Sequence, residues 1–163
     1  MHPMRRKDKE IAEPEGIRAI LKEAKHITVA MSLHDEPYLA TLSHGFDEEN
    51  GCVYFHCARE GKKVEILRAN PVVQGQALLD NGYQQGSCDH LYRTTQFRGR
   101  VSFVKDLAEN EHALRVMIRQ LDDHPEAIME NQVIPHSVSR INIGRIDIDV
   151  MTGKRADKVI IQL

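Results

Sequence analysis

The stretch Tyr54-Phe55-His56-Cys57-Ala58-Arg59-Glu60-Gly61-Lys62-Lys63 concentrates the residues best suited to chemistry. A strand-like run ends, Gly61 permits a close backbone approach, and Lys62 and Lys63 stand where a helix opens. Free N–H groups at a helix start attract anions, and adjacent lysine charge reinforces that preference. The ligand expected of such a corner is a phosphate. Residue chemistry alone leaves a second reading open, in which both lysines are simply solvated. Other residues of catalytic type form no recognisable set. Cys52, Cys57, Cys88 and His90 show neither CxxC nor HxxxH spacing, so no metal site is expected. No Ser-His-Asp arrangement, carboxylate pair or Gly-rich dinucleotide fingerprint stands out. Along Cys52 to Cys57, alternation puts Val53, Phe55 and Cys57 on one face and Tyr54 and His56 on the other. Only one of His56 and Cys57 can therefore aim its side chain at a common ligand.

The elements that must position this corner follow from periodicity. Ile17, Ile20, Leu21 and Ala24 recur at helical spacing, so a helix is expected over Glu15 to Lys25. Ile27, Val29, Met31 and Leu33 then alternate with polar or small residues, as in a half-buried strand. A turn at 34–37 leads to a returning strand, Tyr38 to His44. Asn50-Gly51 is a hairpin signal before a third strand, Cys52 to Cys57. A short helix follows to about Ala69, where Asn70-Pro71 ends it. Val72 to Leu79 reads as a fourth strand, 80–91 as a polar loop, and Tyr92 to Lys105 as a fifth strand interrupted by Gly99. Asp106, with Glu109 three residues on, predicts the cap of a helix over Leu107 to Leu121. After a polar stretch, Ile141 to Thr152 is the sixth strand. Its apolar phase slips at Gly144-Arg145, which predicts a bulge. The first dozen residues, with Arg5-Arg6-Lys7, read as a loosely held arm. The expected fold is mainly β with flanking helices: a six-stranded antiparallel barrel, closed or split, which hides its edges.

The 163 residues fit one domain, 1–163. A formal charge of −2 argues against a protein built to hold nucleic acid. No run approaches ~18 apolar residues, so no membrane span is expected. Basic residues at the start are not followed by an apolar run, so no secretory leader is expected. With three cysteines, no disulfide scaffold is expected, and a reducing cytoplasm is the default setting.

Several segments in order resemble one family. The pattern Phe55-His56-x-Ala58-x-x-Gly61-Lys62-Lys63, with Asn70-Pro71 and a strand after it, is similar to the pyridoxamine 5′-phosphate oxidase-like FMN-binding split-barrel proteins. The opening Met4 to Ile11, the hairpin Glu36 to Phe46, Tyr92-Arg93-Thr94-Thr95 before Gly99, and Ile146 to Lys154 resemble its flavin-nucleotide-binding branch, which includes nitroimidazole-resistance reductases. The resemblance spans residues 4 to 155. It implies a split barrel that holds FMN at a homodimer interface, with the phosphate on Lys62 and Lys63. It places the flavin ring along the second and third strands, with backbone and hydroxyl contacts from Thr41, Leu42, Ser43 and His44 on one and from His56 and Cys57 on the other. Arg93 and Thr94, with Thr95 beside them, would reach it from the fifth strand. Tyr92 to Thr95, Val101 and Phe103 would join the dimer interface. The oxidases proper carry Arg-Lys where this chain has Lys-Lys, and lysine offers a point charge in place of a fork. They also use Trp near their C-terminus, and this chain has none, so oxidation of pyridoxamine 5′-phosphate is not expected. A flavin carries the redox chemistry itself, so few protein residues need be catalytic. The activity implied is reduction of a small organic acceptor, with a nitroaromatic as one candidate and NAD(P)H as a transient donor. The rival readings are a non-catalytic flavin-binding module and a haem-binding split-barrel protein.

Overall fold

The computed structural model describes residues 4–157. Helix α1, Pro14–Glu23, starts on a proline and buries the expected stripe of Ile17, Ile20 and Leu21. Strand β2, His26–Leu33, buries alternate residues. It turns into β3, Glu36–Ser43, through His34 and Asp35, both at positive φ as a two-residue primed turn requires. β5, Cys52–Cys57, leads into α2, Lys62–Ala69. The longest strands are β6, Val72–Gln84, β7, Asp89–Phe103, and β8, Asn142–Ala156. Between β7 and β8 lies α3, Leu107–Leu121, capped by the Asp106 carboxylate accepting the Glu109 N–H at 2.9 Å. Two short strands accompany these: β1, Glu10–Ile11, beside β8, and β4, Gly45–Asp47, beside β5.

All the pairings are antiparallel, and the sheet order is β3-β2-β6-β7-β8-β5-β4. The two ends of that order are one stretch of chain, because β3 ends at Ser43 and β4 begins at Gly45. His44 is thus the corner at which the chain leaves β2 and joins β5, closing a split barrel. The barrel interior holds Val29, Val53, Phe55, Phe97, Val101 and Ile146, with α1 contributing Ile17, Ile20 and Leu21. A second core of Cys52, Tyr54, Ala113, Leu114, Met117 and Ile143 lies between α3 and the outer side of β5 and β8.

Four expectations change. The polar segment 80–91 is mostly strand: β6 and β7 continue as a two-stranded ribbon and turn at 85–88, with a register shift between Asp80 and Gly82. Its Gly, Asn and Gln residues read as loop because a ribbon wet on both sides needs no apolar face. The phase slip at Gly144-Arg145 is not a bulge, since β5 and β8 pair without a break from Cys52–Asp147 to Cys57–Asn142. Ile143 and Ile146 face opposite cores, so both phases are apolar. The register shift lies further on, where Arg98 pairs with Val150 but Gly99 pairs with Ile148, leaving Asp149 extra. Of the arm, residues 1–3 lie outside the described residues, while Ile11 is buried and β1 is paired to Lys154 and Gly153. The polar stretch after α3 forms α4, Pro125–Gln132, and α5, Pro135–Arg140, each starting on a proline and burying one side chain, Met129 or Val138. Among the described residues no helix is long and apolar enough to cross a membrane.

Candidate functional site

The β5–α2 corner has the form its residues predict. Gly61 sits at φ 122° and ψ 166°, and no side chain caps the helix it precedes. The first intrahelical bond runs from Glu65 N–H to the Gly61 carbonyl at 3.0 Å, so earlier N–H groups of α2 have no partner within it. Lys62 Nζ lies 5.1 Å from the centre of the Tyr38 ring, and Lys63 Nζ lies 5.8 Å from that of Phe55. Neither lysine joins an ion pair among the described residues. Cys57 lies beside them, half-buried on the barrel side with Phe55; burial pushes its thiol pKa up, and the Lys63 charge pulls the other way. Asn142 Nδ2 ties this corner to β8, donating to the Ala58 carbonyl at 3.0 Å with Cys57 Sγ 3.4 Å away. His56 is exposed on the opposite face, as alternation requires. Two cations beside unpartnered helix N–H groups, with an apolar ring beneath each, suit a phosphate.

A second group lies on the outer face of the sheet. Thr41 is exposed, Ser43 half-buried, and Thr94 buried, its Oγ1 donating to the Ala77 carbonyl at 2.8 Å and accepting from Gln76 Nε2 at 3.1 Å. Register aligns Thr41, Thr28, Gln76, Gln96 and Thr152 as one polar row across five strands. Thr28, Gln76, Gln96 and Thr152 were missed as site candidates. The signal was present as the polar phase of each strand, but only the pairing register lines the residues up.

The remaining candidates go elsewhere. Leu42 belongs to the barrel core. Thr95 is fully buried, its Oγ1 donating to the Ile17 carbonyl at 2.9 Å. His44 is fully buried, with Nε2 2.9 Å from the Leu21 carbonyl. The side chains of these residues hold the barrel to α1 and offer nothing to a ligand; only their backbone could serve one. β3 ends the sheet order, so backbone groups on its outer edge have no neighbouring strand. Arg93 pairs with Glu23 at 3.1 Å. Val101 and Phe103 point into the barrel core, not outward toward an interface. Lys62 lies over the Tyr38 ring of β3, the strand that also carries Thr41 and Ser43. Among the described residues no cluster of three or more His, Cys, Asp or Glu is placed to hold a metal.

Residues 13–155 match the family described as Pyridoxamine 5′-phosphate oxidase. No curated protein matches the chain by sequence. Among solved structures, a candidate 5-nitroimidazole antibiotic resistance protein from Bacteroides thetaiotaomicron is similar at 26% identity and a TM-score of 0.74, over 91% of this chain and 90% of that one. The flavocytochrome Anf3 from Azotobacter vinelandii is similar at 17% identity and 0.79, over 96% and 73%. An FAD and heme binding protein from Mycobacterium smegmatis is similar at 13% identity and 0.75, over 92% and 74%. The latter two show the shared fold. With most of its length matched and the split barrel in place, the chain belongs to the pyridoxamine 5′-phosphate oxidase family.

Proposed function

We propose that the protein is a homodimeric FMN-binding flavoprotein that reduces a small organic acceptor, a nitroaromatic being the first candidate, with NAD(P)H as a transient electron donor. The observation that carries this reading is the uncapped start of α2, where Lys62 and Lys63 stand without an acidic partner among the described residues. A phosphate monoester satisfies the charge of the lysines and the N–H groups together. The outer-face row supports the ring half of the ligand. Thr41 offers its hydroxyl and Gln76, held by Thr94, the remaining side of its amide to polar ring edges, and exposed Leu39 and Leu78 offer apolar wall. The exposed Leu39 and Leu78 on the same face support a second copy covering it. When bound, the flavin supplies hydride and single-electron chemistry; the chain's own residues bind, orient and exclude water. The nitroimidazole-resistance description of one similar structure and the FAD of another support a flavin and suggest the acceptor class.

The experiment is FMN titration of the parent and a Lys62→Ala, Lys63→Ala double variant. Loss of charge-assisted contacts typically costs ~1.5–3 kcal/mol, so affinity is expected to fall about tenfold or more. Riboflavin, without the phosphate, is expected to bind the parent weakly and the double variant no worse. Equal FMN affinity in both proteins overturns the reading. Stopped-flow reduction by NADH or NADPH, followed by addition of a nitroaromatic, separates a reductase from a flavin-holding module. The second reading, haem binding, rests on the similar structure described as binding FAD and heme. The absorbance spectrum of the purified protein decides it, by flavin bands or a Soret band.

A further inference from the structure

We infer that Tyr38 is the positioning residue for Lys62: its ring holds the ammonium at the phosphate corner without neutralising it, and so sets how tightly that corner takes a phosphate monoester. The identity of that monoester as FMN rests on the flavin reading proposed above; the role of Tyr38 does not. Tyr38 lies on β3 opposite Met31 of β2, half-buried and packed against the barrel core. Lys62 opens α2. The elements that carry them are remote in the sheet, because β3 ends the sheet order on one side and β5, which leads into α2, lies beside the other end. The 5.1 Å separation of Lys62 Nζ from the centre of the Tyr38 ring is therefore a contact across the split of the barrel. The far end of α2 is tied to the same hairpin. Asn70 Nδ2 donates to the Ser32 carbonyl at 2.9 Å, and Ser32 pairs with Pro37, the neighbour of Tyr38.

The ring is what the described residues offer to hold Lys62. The lysine is exposed and joins no ion pair among them. A Cβ added to the preceding Gly61 would meet nothing within 4 Å, so the solvent side of the corner has no protein wall. A long, exposed side chain loses rotamer freedom when a ligand fixes it, and that loss weakens binding unless the protein has already ordered the chain. A carboxylate could order it, but would cancel the charge and compete with the phosphate. An aromatic ring attracts the ammonium through its quadrupole and leaves both the net charge and the N–H donors available. The hydroxyl plays no part in this. Tyr54 Oη donates to Glu109 at 3.2 Å, whereas Tyr38 Oη makes no hydrogen bond among the described residues. Phenylalanine should therefore serve at position 38, and leucine should not. Lys63 is held differently, above Phe55 from its own strand–helix unit. Only Lys62 depends on β3, the strand that also carries Thr41 and Ser43, so one strand aligns the phosphate and ring parts of the site.

Two measurements on the full chain test this. The first needs no ligand. In the NMR spectrum of the parent, the ε-methylene protons of Lys62, assigned by their loss in Lys62→Ala, should lie upfield of those of exposed Lys105, because of the Tyr38 ring current. Tyr38→Phe should keep that shift. A parent in which the Lys62 and Lys105 signals coincide overturns the inference, whether or not other variants fold. The second is a double-mutant cycle on affinity, with FMN and riboflavin as probes. Tyr38→Leu should weaken FMN about two- to fivefold, the size of a cation–π contact at an exposed site. It should leave riboflavin, which has no phosphate, unchanged, and Tyr38→Phe should bind FMN as the parent does. In a Lys62→Ala background Tyr38→Leu should have no further effect, since the pair acts as a unit. A merely structural tyrosine would weaken riboflavin equally and add to Lys62→Ala, and either result overturns the inference. So does a Tyr38→Phe protein as weak toward FMN as Tyr38→Leu. If the parent binds no FMN, the same cycle is run with inorganic phosphate. Phosphate binding that depends on Tyr38 only when Lys62 is present then sinks the flavin reading and leaves the role of Tyr38 standing; no phosphate binding overturns both.

Discussion

His44 occupies the corner between β3 and β4 with no exposed surface, and its imidazole can hold a proton on only one nitrogen at neutral pH. The Leu21 carbonyl 2.9 Å from Nε2 requires that nitrogen to be the donor. Nδ1 then stays unprotonated, buried and without a partner. Gln120 completes the joint from α3. Its Nε2 donates to the carbonyls of Leu21 and Ala24 at 2.9 and 3.0 Å, and its Oε1 accepts the Phe46 N–H at 2.8 Å. The sequence showed His44 as a strand residue beside a candidate ligand. It could not show that the ring would spend its N–H on the Leu21 carbonyl, 23 positions earlier in α1, which leaves only the backbone of His44 for a ligand. The Lys62–Lys63 corner was legible because every part of it is contiguous. Burial pushes the His44 pKa down from 6.5 to about 4, with the Leu21 hydrogen bond opposing. Below its ordinary value the unfolded chain takes up a proton that the native chain refuses until near pH 4. The native state is therefore penalised progressively as pH falls through that window, by at most roughly 3 kcal/mol, and not above it. Urea unfolding at pH 7.5 and 4.5 should show this loss in the parent. His44→Gln should be less stable at pH 7.5 but flatter with pH; an identical pH slope in both proteins rules out His44 as the source.

β5 and β8 show how an element's surroundings decide what its sequence reveals. β2 alternates because only one of its faces is buried, and its strand and hairpin could be read directly. β8 supplies Ile146 to the barrel and Ile143 to the α3 side, so its alternation fails without any break in pairing. The β6–β7 ribbon failed in the opposite sense, because beyond the barrel neither face needs apolar residues. Within β8, Gly144 pairs with Phe55, and a Cβ built there would lie 2.2 Å from Phe55 Cζ. The ring therefore rests on bare backbone, and Lys63 Nζ stands 5.8 Å from its centre. Gly144→Ala forces the ring aside, and overpacking of this kind typically costs ~1–3 kcal/mol. The unfolding midpoint should drop, and FMN affinity with it, since the ring helps to place Lys63. In a Phe55→Leu background the added methyl has space, so most of the extra stability cost should vanish. A cost that persists in the double variant would trace the effect to the β8 backbone instead of the ring.

At the scale of the whole molecule, one face of the sheet keeps exposed side chains. α1 packs into the barrel core and α3 covers the outer side of β5 and β8, while the outward phase of β3, β2, β6 and β7 includes the exposed Leu39, Thr41, Ser32, Leu78 and Gln96. Leu39 and Leu78 on that face are 65% and 53% exposed, and Val150 lies in the register row of Leu39. Large apolar side chains beside a polar row of Thr and Gln form the mixed surface that protein interfaces use. The same face carries Thr41, Ser43 and Thr94, the expected ring-facing part of the site. Association of two copies through this face would bury the apolar residues and give the polar row a ligand's ring to meet. The expected species in sedimentation at micromolar concentration is therefore twice the 18.6 kDa of the chain. Leu78→Glu would place an unpaired charge in the interface, where burial is strongly penalised. It should shift the protein toward monomer and, because the ring-facing part would then be uncovered, weaken FMN about tenfold while leaving the unfolding midpoint within experimental error of the parent. A wild-type monomer that holds FMN tightly would mean that no second copy is needed over this face.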